Sequence, residues 1–180
     1  MLQPDIYWLR EIEGTRLAIM PRPRAGEWLT DELSVLRKTG VDIVVSLLEA
    51  DEARELGLED EALLCGAAGI KFISFPIPDR GVPSDRMHFA PLVDGIVRQL
   101  RSGDSVAIHC RAGIGRSGLL AGCVLGSIGI AADQALAMLS RARGVAVPDT
   151  DAQADWVRDF VRAVPGSNNR TITRRAPSVR

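Results

Sequence analysis

The sequence is poor in cysteine, histidine and aromatic residues. Three cysteines and two histidines in 180 residues supply neither a disulfide framework nor a cluster with the spacing of metal ligands. The first residues lack the basic start and apolar core of a secretory leader. We therefore expect a cytoplasmic protein in a reducing environment, with no metal and no other cofactor.

Long hydrophobic runs and a strong net charge are also missing. The longest apolar stretch, residues 118–132, contains four glycines and is shorter than the roughly 20 residues of a membrane-spanning helix. Lysine and arginine number 22 against 23 aspartates and glutamates, for a net charge of -1. This balance favours neither a nucleic-acid partner nor a membrane surface. We expect a globular domain that is monomeric.

Apolar runs alternate with helical patterns, which is typical of an α/β domain with a mostly parallel sheet. Residues 41–48 are almost continuously apolar and β-branched, as in a strand that is buried on both faces. The four predicted strands are residues 17–20, 41–48, 71–77 and 105–109. We expect a central sheet of about four to five strands, mostly parallel and flanked by helices.

Helical patterns fill the segments between and after these strands. The predicted helices are residues 30–38, 50–65, 85–101, 119–128, 131–143 and 150–164. Pro91 interrupts the third, which therefore either begins near Ala90 or is kinked at the proline. A single domain is expected over residues 1–164. Residues 165–180 are polar with four arginines and no apolar period, and we predict a disordered basic tail.

The stretch HCRAGIGRSG, residues 109–118, joins the last predicted strand to a buried helix. Gly113, Gly115 and Gly118 match the fingerprint of a dinucleotide-binding turn, but no second strand ending in an acid follows the helix. A nucleotide-triphosphate loop would have lysine before Ser117, where this chain has Arg116. The Gly-x-Ser-x-Gly pattern of a serine nucleophile is absent from the stretch.

A phosphate-binding loop accounts for the whole stretch. Consecutive backbone N–H groups at a helix N-terminus bind phosphate, and the helix dipole assists them. Arg116 adds a planar, two-pronged donor, and the same field favours a thiolate at Cys110. A thiolate beneath a bound phosphate is a nucleophile in line with phosphorus. The predicted substrate-binding residues are Arg111, Ala112, Gly113, Ile114, Gly115 and Arg116.

The pattern His-Cys-x5-Arg-Ser, formed by His109, Cys110, Arg116 and Ser117, resembles the signature of the cysteine-dependent protein tyrosine phosphatases. Within that superfamily the chain is similar to the small atypical dual-specificity phosphatases, over about residues 7–164. The resemblance implies hydrolysis of phosphotyrosine, and also phosphoserine or phosphothreonine, in a protein or peptide through a phosphocysteine intermediate. A non-protein phosphoester such as an inositol phosphate or a nucleotide is the alternative substrate, and a non-catalytic phosphate-binding module is a further alternative.

The resemblance also implies a general acid and a residue that positions water. Asp79, in FPIPDRGVPSD, takes the place of the acid, although Pro78-Asp-Arg-Gly81 is also typical of a β-turn. Asp85 is the rival candidate. Gln153, in VPDTDAQADWV, takes the place of the water-positioning residue, although Thr150-x-x-Gln153 is equally a helix capping box.

Supporting roles follow for several neighbours of the loop. By resemblance Ser117 hydrogen-bonds the thiolate and His109 holds the loop through hydrogen bonds. Glu49 and Glu52 follow the second predicted strand, where a carboxylate can brace an arginine of the loop. A disulfide from Cys65 or Cys123 to an oxidised Cys110 remains an open alternative.

Overall fold

The computed structural model describes residues 4–9, 12, 14 and 16–164. A five-stranded sheet has the order β1-β2-β5-β3-β4, in which β2, β5, β3 and β4 are parallel and β1 is antiparallel to β2. The strands are β1 (Tyr7–Trp8), β2 (Leu17–Pro21), β3 (Ile43–Ser46), β4 (Lys71–Ser74) and β5 (Val106–Cys110). The expected α/β class and the mostly parallel sheet are confirmed. The predicted tail, residues 165–180, lies outside the described residues.

Two strands are shorter than predicted, and one was missed. The expected strands at residues 41–48 and 71–77 are Ile43–Ser46 and Lys71–Ser74. Pro76 and Pro78 follow β4 and lack the N–H that would continue a ladder. The missed strand, β1, has only two residues, which is too short to produce an alternating pattern in the sequence.

Seven helices and a short 3-10 turn at Gly26–Trp28 surround the sheet in the described part of the chain. The helices are α1 (Leu29–Lys38), α2 (Ala50–Glu55), α3 (Glu61–Ala67), α4 (Arg86–Arg101), α5 (Gly115–Ser127), α6 (Ala132–Arg143) and α7 (Asp151–Ala163). The prediction of one helix over residues 50–65 is wrong. The chain turns between α2 and α3, where Gly57 has φ of +67°, a value that favours glycine.

Helix α4 begins at Arg86 rather than near Ala90, and Pro91 lies inside it. Its N-cap is Asp85, whose side chain accepts a hydrogen bond of 2.9 Å from the backbone N–H of His88. Capping by Asp satisfies an N–H that has no partner within the helix. The cap therefore sets the start of the helix despite the proline that follows.

The sheet is covered on both faces. Helices α4 to α7 pack on the face that receives Ile19, Val45 and Ile108, while α1 to α3 cover the face that receives Met20 and Val44. Successive side chains of a strand point to opposite faces of the sheet. Because helices cover both faces, successive residues along the central strands β5 and β3 are all buried. This explains the continuous apolar character of β3, whose four residues are all buried.

Helix α5 is buried through almost its whole length, from Gly115 to Gly126. Glycines along one side allow close approach of its neighbours: a Cβ at Gly118 would lie 2.2 Å from Val147 Cγ1, and one at Gly126 would lie 2.1 Å from Val161 Cγ2. Because α7 approaches α5 this closely, the first turn of α7 reaches the loop that precedes α5.

An aromatic group centred on Phe89 joins α4 to α7 and to the segment after β4. Its ring lies 5.8 Å from Phe75, 6.0 Å from Trp156 and 5.4 Å from Phe160 between centroids, each edge to face. Such pairs add to the stability that burial provides. The group anchors both ends of the segment that contains Asp79.

Candidate active site

The loop between β5 and α5 lies at the carboxyl edge of the sheet, where parallel α/β proteins bind ligands. Gly113 has φ of +69°, and a Cβ on it would lie 2.3 Å from the backbone of Met20. A Cβ on Gly115 would lie 2.8 Å from Gln153 Oε1. The loop therefore lies tightly between β2 and α7: position 113 accepts only glycine, and a side chain at position 115 would require Gln153 to shift.

Helix α5 begins at Gly115, one turn earlier than the expected residues 119–128. Arg116 and Ser117 therefore belong to its first turn, whose backbone N–H groups have no partner within the helix. The sulfur of Cys110 lies 3.5 Å from Ser117 Oγ. The predicted contact between the thiol and the serine is confirmed, and both groups lie at the positive end of a buried helix.

Arg116 is the most extensively bonded side chain of the site. Its guanidinium donates to both oxygens of Glu52, at 2.7 and 2.9 Å, and to the backbone carbonyls of Leu47 and Ile77, at 3.4 and 3.0 Å. It also donates to Asp79 Oδ1 at 3.0 Å. The expectation that a carboxylate after the second strand braces a loop arginine is confirmed for Glu52.

Glu52 and Arg116 are both charged in the folded protein. The hydrogen bond from Arg116, together with its charge, lowers the pKa of Glu52 although burial opposes the shift. Burial disfavours the charge of Arg116, but the bond to Glu52 and the negative charges nearby outweigh it and raise its pKa. A buried guanidinium with a bidentate carboxylate is held in one orientation.

The segment that contains Asp79 forms the expected turn, since the Gly81 N–H donates to the Pro78 carbonyl at 2.8 Å. Three contacts fix this turn over the loop. Asp79 bonds Arg116, Arg80 lies 3.2 Å from Asp149, and Gln153 Nε2 donates to the Gly81 carbonyl at 2.9 Å. Arg80 has φ of +56°, a strained value for a residue with a side chain.

Gln153 is buried, and its two amide atoms differ. Nε2 is bonded to Gly81, whereas Oε1 is buried without a hydrogen-bond partner and lies against Gly115. Only half of the predicted capping box forms, since Thr150 Oγ1 accepts from the Gln153 backbone N–H at 3.2 Å while the glutamine side chain points away to the turn. An unpaired buried acceptor is costly and is a ready partner for water.

His109 differs from expectation. Its ring lies on the opposite face of the sheet, where Nε2 is 3.0 Å from Glu61 Oε1, and neither ring nitrogen makes a hydrogen bond. Its backbone carbonyl accepts from the Leu47 N–H at 3.1 Å. The side chain therefore does not hold the loop through hydrogen bonds, and Glu61 was not singled out from the sequence.

A cavity of about 180 Å³ gathers these groups. It is lined by Asp79, Arg80, Cys110, Arg111, Ala112, Ile114, Gly115, Arg116, Asp149 and Gln153. Ser117 lies beneath the cavity and Gly113 lies behind it, against β2. The rival acid Asp85 is occupied as the cap of α4. Arg80 and Asp149 are cavity residues that the sequence reasoning missed, although each is adjacent to a motif residue that it did select.

The other two thiols do not line this cavity. Cys65 and Cys123 are free and buried, and burial raises the pKa of Cys65 to about 12 and that of Cys123 further. Because the thiolate is the form that attacks an oxidised sulfur, the raised pKa values disfavour a disulfide with Cys110.

Within residues 16–164 and the described residues before them, no group of three or more histidines, cysteines or carboxylates is placed to hold a metal ion. In the same part of the chain no helix is long and apolar enough to cross a membrane.

The family model described as "Polymorphic toxin system, DSP-PTPase phosphatase" matches residues 18–130, which include the complete loop and the Asp79 turn. The chain belongs to this family. The resemblance to dual-specificity phosphatases expected from the loop motif is thus confirmed.

Solved structures of this phosphatase fold superpose on most of the chain. Kinase associated phosphatase with its catalytic cysteine replaced by serine gives a TM-score of 0.80 at 22% identity, covering 91% of this chain and 98% of that one. Tk-PTP in its active form gives 0.74 at 25% identity, covering 91% and 100%. These matches show the fold.

Tyrosine-protein phosphatase 1 of Caenorhabditis elegans is 53% identical over 45 residues, which are 24% of this chain and 4% of the relative. The chain thus spans a small part of the length of this curated relative.

Proposed function

We propose that the chain is a phosphoprotein phosphatase that hydrolyses phosphotyrosine, and also phosphoserine or phosphothreonine, through a phosphocysteine intermediate. The observation that carries the proposal is the convergence of Cys110, Arg116 and Asp79 on one small cavity at the N-terminus of α5. A nucleophile, an anion-binding site and an acid are the groups that cleavage of a phosphate monoester requires.

In the first step the Cys110 thiolate attacks phosphorus, a sulfur–phosphorus bond forms and the bond to the substrate oxygen breaks. Arg116 and the N–H groups of residues 111–116 hold the other phosphate oxygens. Asp79 donates its proton to the departing oxygen. In the free protein Asp79 is bonded to Arg116, so a bound phosphate competes with Asp79 for the guanidinium and releases the carboxylate, which takes up a proton from solvent before it faces the leaving oxygen.

In the second step water attacks the phosphocysteine, and the sulfur leaves as a thiolate. Asp79 accepts the proton from water, and Ser117 donates a hydrogen bond to the departing sulfur. The unpaired Oε1 of Gln153 supports a role in holding the water, because an acceptor beside Gly115 faces the loop where the intermediate forms. Inorganic phosphate is then released.

The substrate class rests on the cavity wall. Ala112 and Ile114 are uncharged, which disfavours a polyphosphoinositide and favours a phosphorylated side chain of a protein. Arg111 at the same wall favours the second candidate, a non-protein phosphoester with a further anionic group, such as an inositol phosphate or a nucleotide. We further propose a monomer, and a cytoplasmic location that is in keeping with three free thiols.

The test is a phosphate-release assay with a chelator present. Phosphotyrosine peptides, phosphothreonine peptides and an inositol phosphate are compared, with Cys110→Ser as the blank. We expect tyrosine peptides to be the best substrates and the blank to be inactive. Cleavage of the inositol phosphate alone would contradict the protein substrate but keep the chemistry. Equal release by the blank would contradict the thiolate mechanism.

A further inference from the structure

The outer side of the phosphate loop is held by groups that do not line the cavity. The Arg111 carbonyl accepts from the Arg22 backbone N–H at 3.3 Å, and the Ala112 carbonyl accepts from Arg143 NH2 at 3.2 Å. In a trans peptide the C=O and N–H groups point in opposite directions. Fixing each carbonyl outward therefore turns the next N–H, of Ala112 or Gly113, toward the cavity.

The peptide between Ala112 and Gly113 is the one that most needs such a hold. Glycine occupies both positive and negative φ at little cost, so a peptide that precedes it rotates readily. If this peptide turned over, a carbonyl oxygen would replace a donor on the side that receives the phosphate. Repulsion between that oxygen and a phosphate oxygen would then oppose binding.

Arg143 is itself oriented from two sides. It is the last residue of α6, and its guanidinium lies 4.3 Å from the ring centroid of Tyr7 in β1, within the range of a cation–π interaction. Its Nε is buried without a hydrogen-bond partner. The ring of Tyr7 thus restricts the plane of the guanidinium, and one edge of that plane is directed at the Ala112 carbonyl.

We propose that Arg143, supported by Tyr7, is a positioning residue that sets the phosphate loop in its anion-binding form by holding the Ala112 carbonyl. The proposal rests on the function proposed for the loop. Arg143 contacts the back of the loop rather than the substrate. Its removal is therefore expected to weaken the binding of any tetrahedral oxyanion, while the fold stays intact.

The variants are Arg143→Met, which keeps an apolar chain against Tyr7, and Arg143→Lys, which keeps a donor. Tyr7→Phe is the matched control, because it keeps the ring face and removes only the hydroxyl. Three readouts are used: inhibition by orthovanadate, the ratio of Cys110 alkylation by iodoacetate to that by iodoacetamide, and the midpoint of urea unfolding. The alkylation ratio measures attraction of an anion without any turnover.

We expect Arg143→Met to weaken vanadate inhibition roughly tenfold, as for loss of a charge-assisted hydrogen bond. The alkylation ratio falls with it and the urea midpoint is unchanged. Arg143→Lys recovers part of both losses, and Tyr7→Phe behaves as the wild type. Wild-type vanadate inhibition and alkylation ratio in folded Arg143→Met would overturn the proposal.

Two further measurements separate the possible failures. If Arg143→Met does not fold, Tyr7→Leu tests the same link, and a wild-type alkylation ratio in that variant would count against it. Tungstate binding to Cys110→Ser is measured by calorimetry to test the loop itself. If tungstate does not bind Cys110→Ser, both the proposed function of the loop and the role of Arg143 are contradicted. If tungstate binds Cys110→Ser but vanadate inhibits Arg143→Met as strongly as the wild type, the loop binds oxyanions and only the role of Arg143 is contradicted.

Discussion

Glu52 and Arg116 form a bidentate ion pair, at 2.7 and 2.9 Å, in which both side chains are largely shielded from solvent. The carboxylate comes from α2 and the guanidinium from α5, so the pair joins helices on opposite faces of the sheet. With one edge of the guanidinium occupied in this way, its orientation over the cavity is fixed before a phosphate arrives.

Glu52→Gln is expected to destabilise the protein by about 3 kcal/mol, because it removes the bidentate counter-charge of a buried guanidinium and leaves only one carboxylate contact, with Asp79. The hydrogen bond from Arg116 lowers the pKa of Glu52 below the ordinary value of 4.5. The pair's contribution is therefore complete above pH 4.5 and is lost as pH falls through the lowered pKa. The free energy of unfolding of the wild type and of Glu52→Gln is measured in urea from about pH 3 to about pH 7, a range that extends to both sides of the ordinary pKa of glutamate.

Glu49→Gln is the matched control, since Glu49 is exposed and makes no bond to Arg116. It is expected to leave both the stability and its pH dependence unchanged. An equal loss of stability in the two variants would show that the charge of the segment, rather than the pair, is responsible.

Asp79→Asn is expected to affect turnover and oxyanion affinity in opposite directions. Turnover of substrates with a basic leaving group falls by roughly 10²–10⁴, the usual contribution of a general acid, and substrates with an acidic phenol suffer less. Vanadate binds more tightly, because a carboxylate no longer competes for Arg116. Initial rates on a series of aryl phosphates and vanadate inhibition provide both values. A uniform loss across the series would argue that Asp79 serves only the turn.

Gln153→Ala is expected to slow hydrolysis of the phosphocysteine about tenfold, as for loss of one hydrogen bond to the reacting water. Its effect on formation of the intermediate is smaller. Added glycerol then receives a larger share of the phosphate than in the wild type. Product ratios from phosphorus NMR test this. An unchanged ratio together with a lower urea midpoint would indicate that the glutamine acts only through its bond to Gly81.

At position 80, arginine is expected to make the folded protein less stable than glycine would. At φ of +56° a side chain costs about 1 kcal/mol, and the exposed ion pair to Asp149 returns at most a similar amount. Arg80→Gly should therefore exceed Arg80→Ala in stability by about 1 kcal/mol. Asp149→Asn, which removes only the ion pair, is the control. Equal urea midpoints for the Gly and Ala variants would show that the turn relaxes.

Two glycine-to-alanine changes in helices are expected to have opposite signs. Gly126→Ala forces a Cβ against Val161 and should destabilise the protein by about 1–3 kcal/mol. Gly95→Ala in α4 has its nearest neighbour, Arg98 NH2, at 3.8 Å, so it should stabilise by about 0.5–1 kcal/mol through helix propensity. Thermal unfolding of both variants decides the matter. Stabilisation by both would mean that α5 and α7 can move apart freely.

The parts of the fold and site that were predictable are those set by local pattern. The alternation of apolar runs with helical periods predicted the parallel sheet, and the apolar stretches on either side of residues 109–118 placed the loop between a strand and a helix. The loop of residues 111–114 turns back on itself, so that Ser117 in the first turn of α5 lies beside the sulfur of Cys110.

The parts that were missed depend on contacts distant in sequence. Arg80 meets Asp149, and Arg143 meets Tyr7, only after α6 and α7 have packed against the sheet. His109 was expected to bond the loop, but strand alternation directs it to the face where Glu61 lies. No local sequence pattern predicts such pairs, since each member alone is an ordinary surface or strand residue.

The contacts of Gln153 and Asp149 with the Asp79 turn determine when the site can form during synthesis of the chain. The thiol and the loop emerge from the ribosome well before Gln153 and Asp149, which secure the acid turn. A nascent chain that ends before α7 would carry an exposed cysteine motif without the residues that complete the reaction cycle. The site is thus completed only after α7 has been synthesised, and a chain that ends before Asp149 is expected to lack the contacts that fix the acid turn.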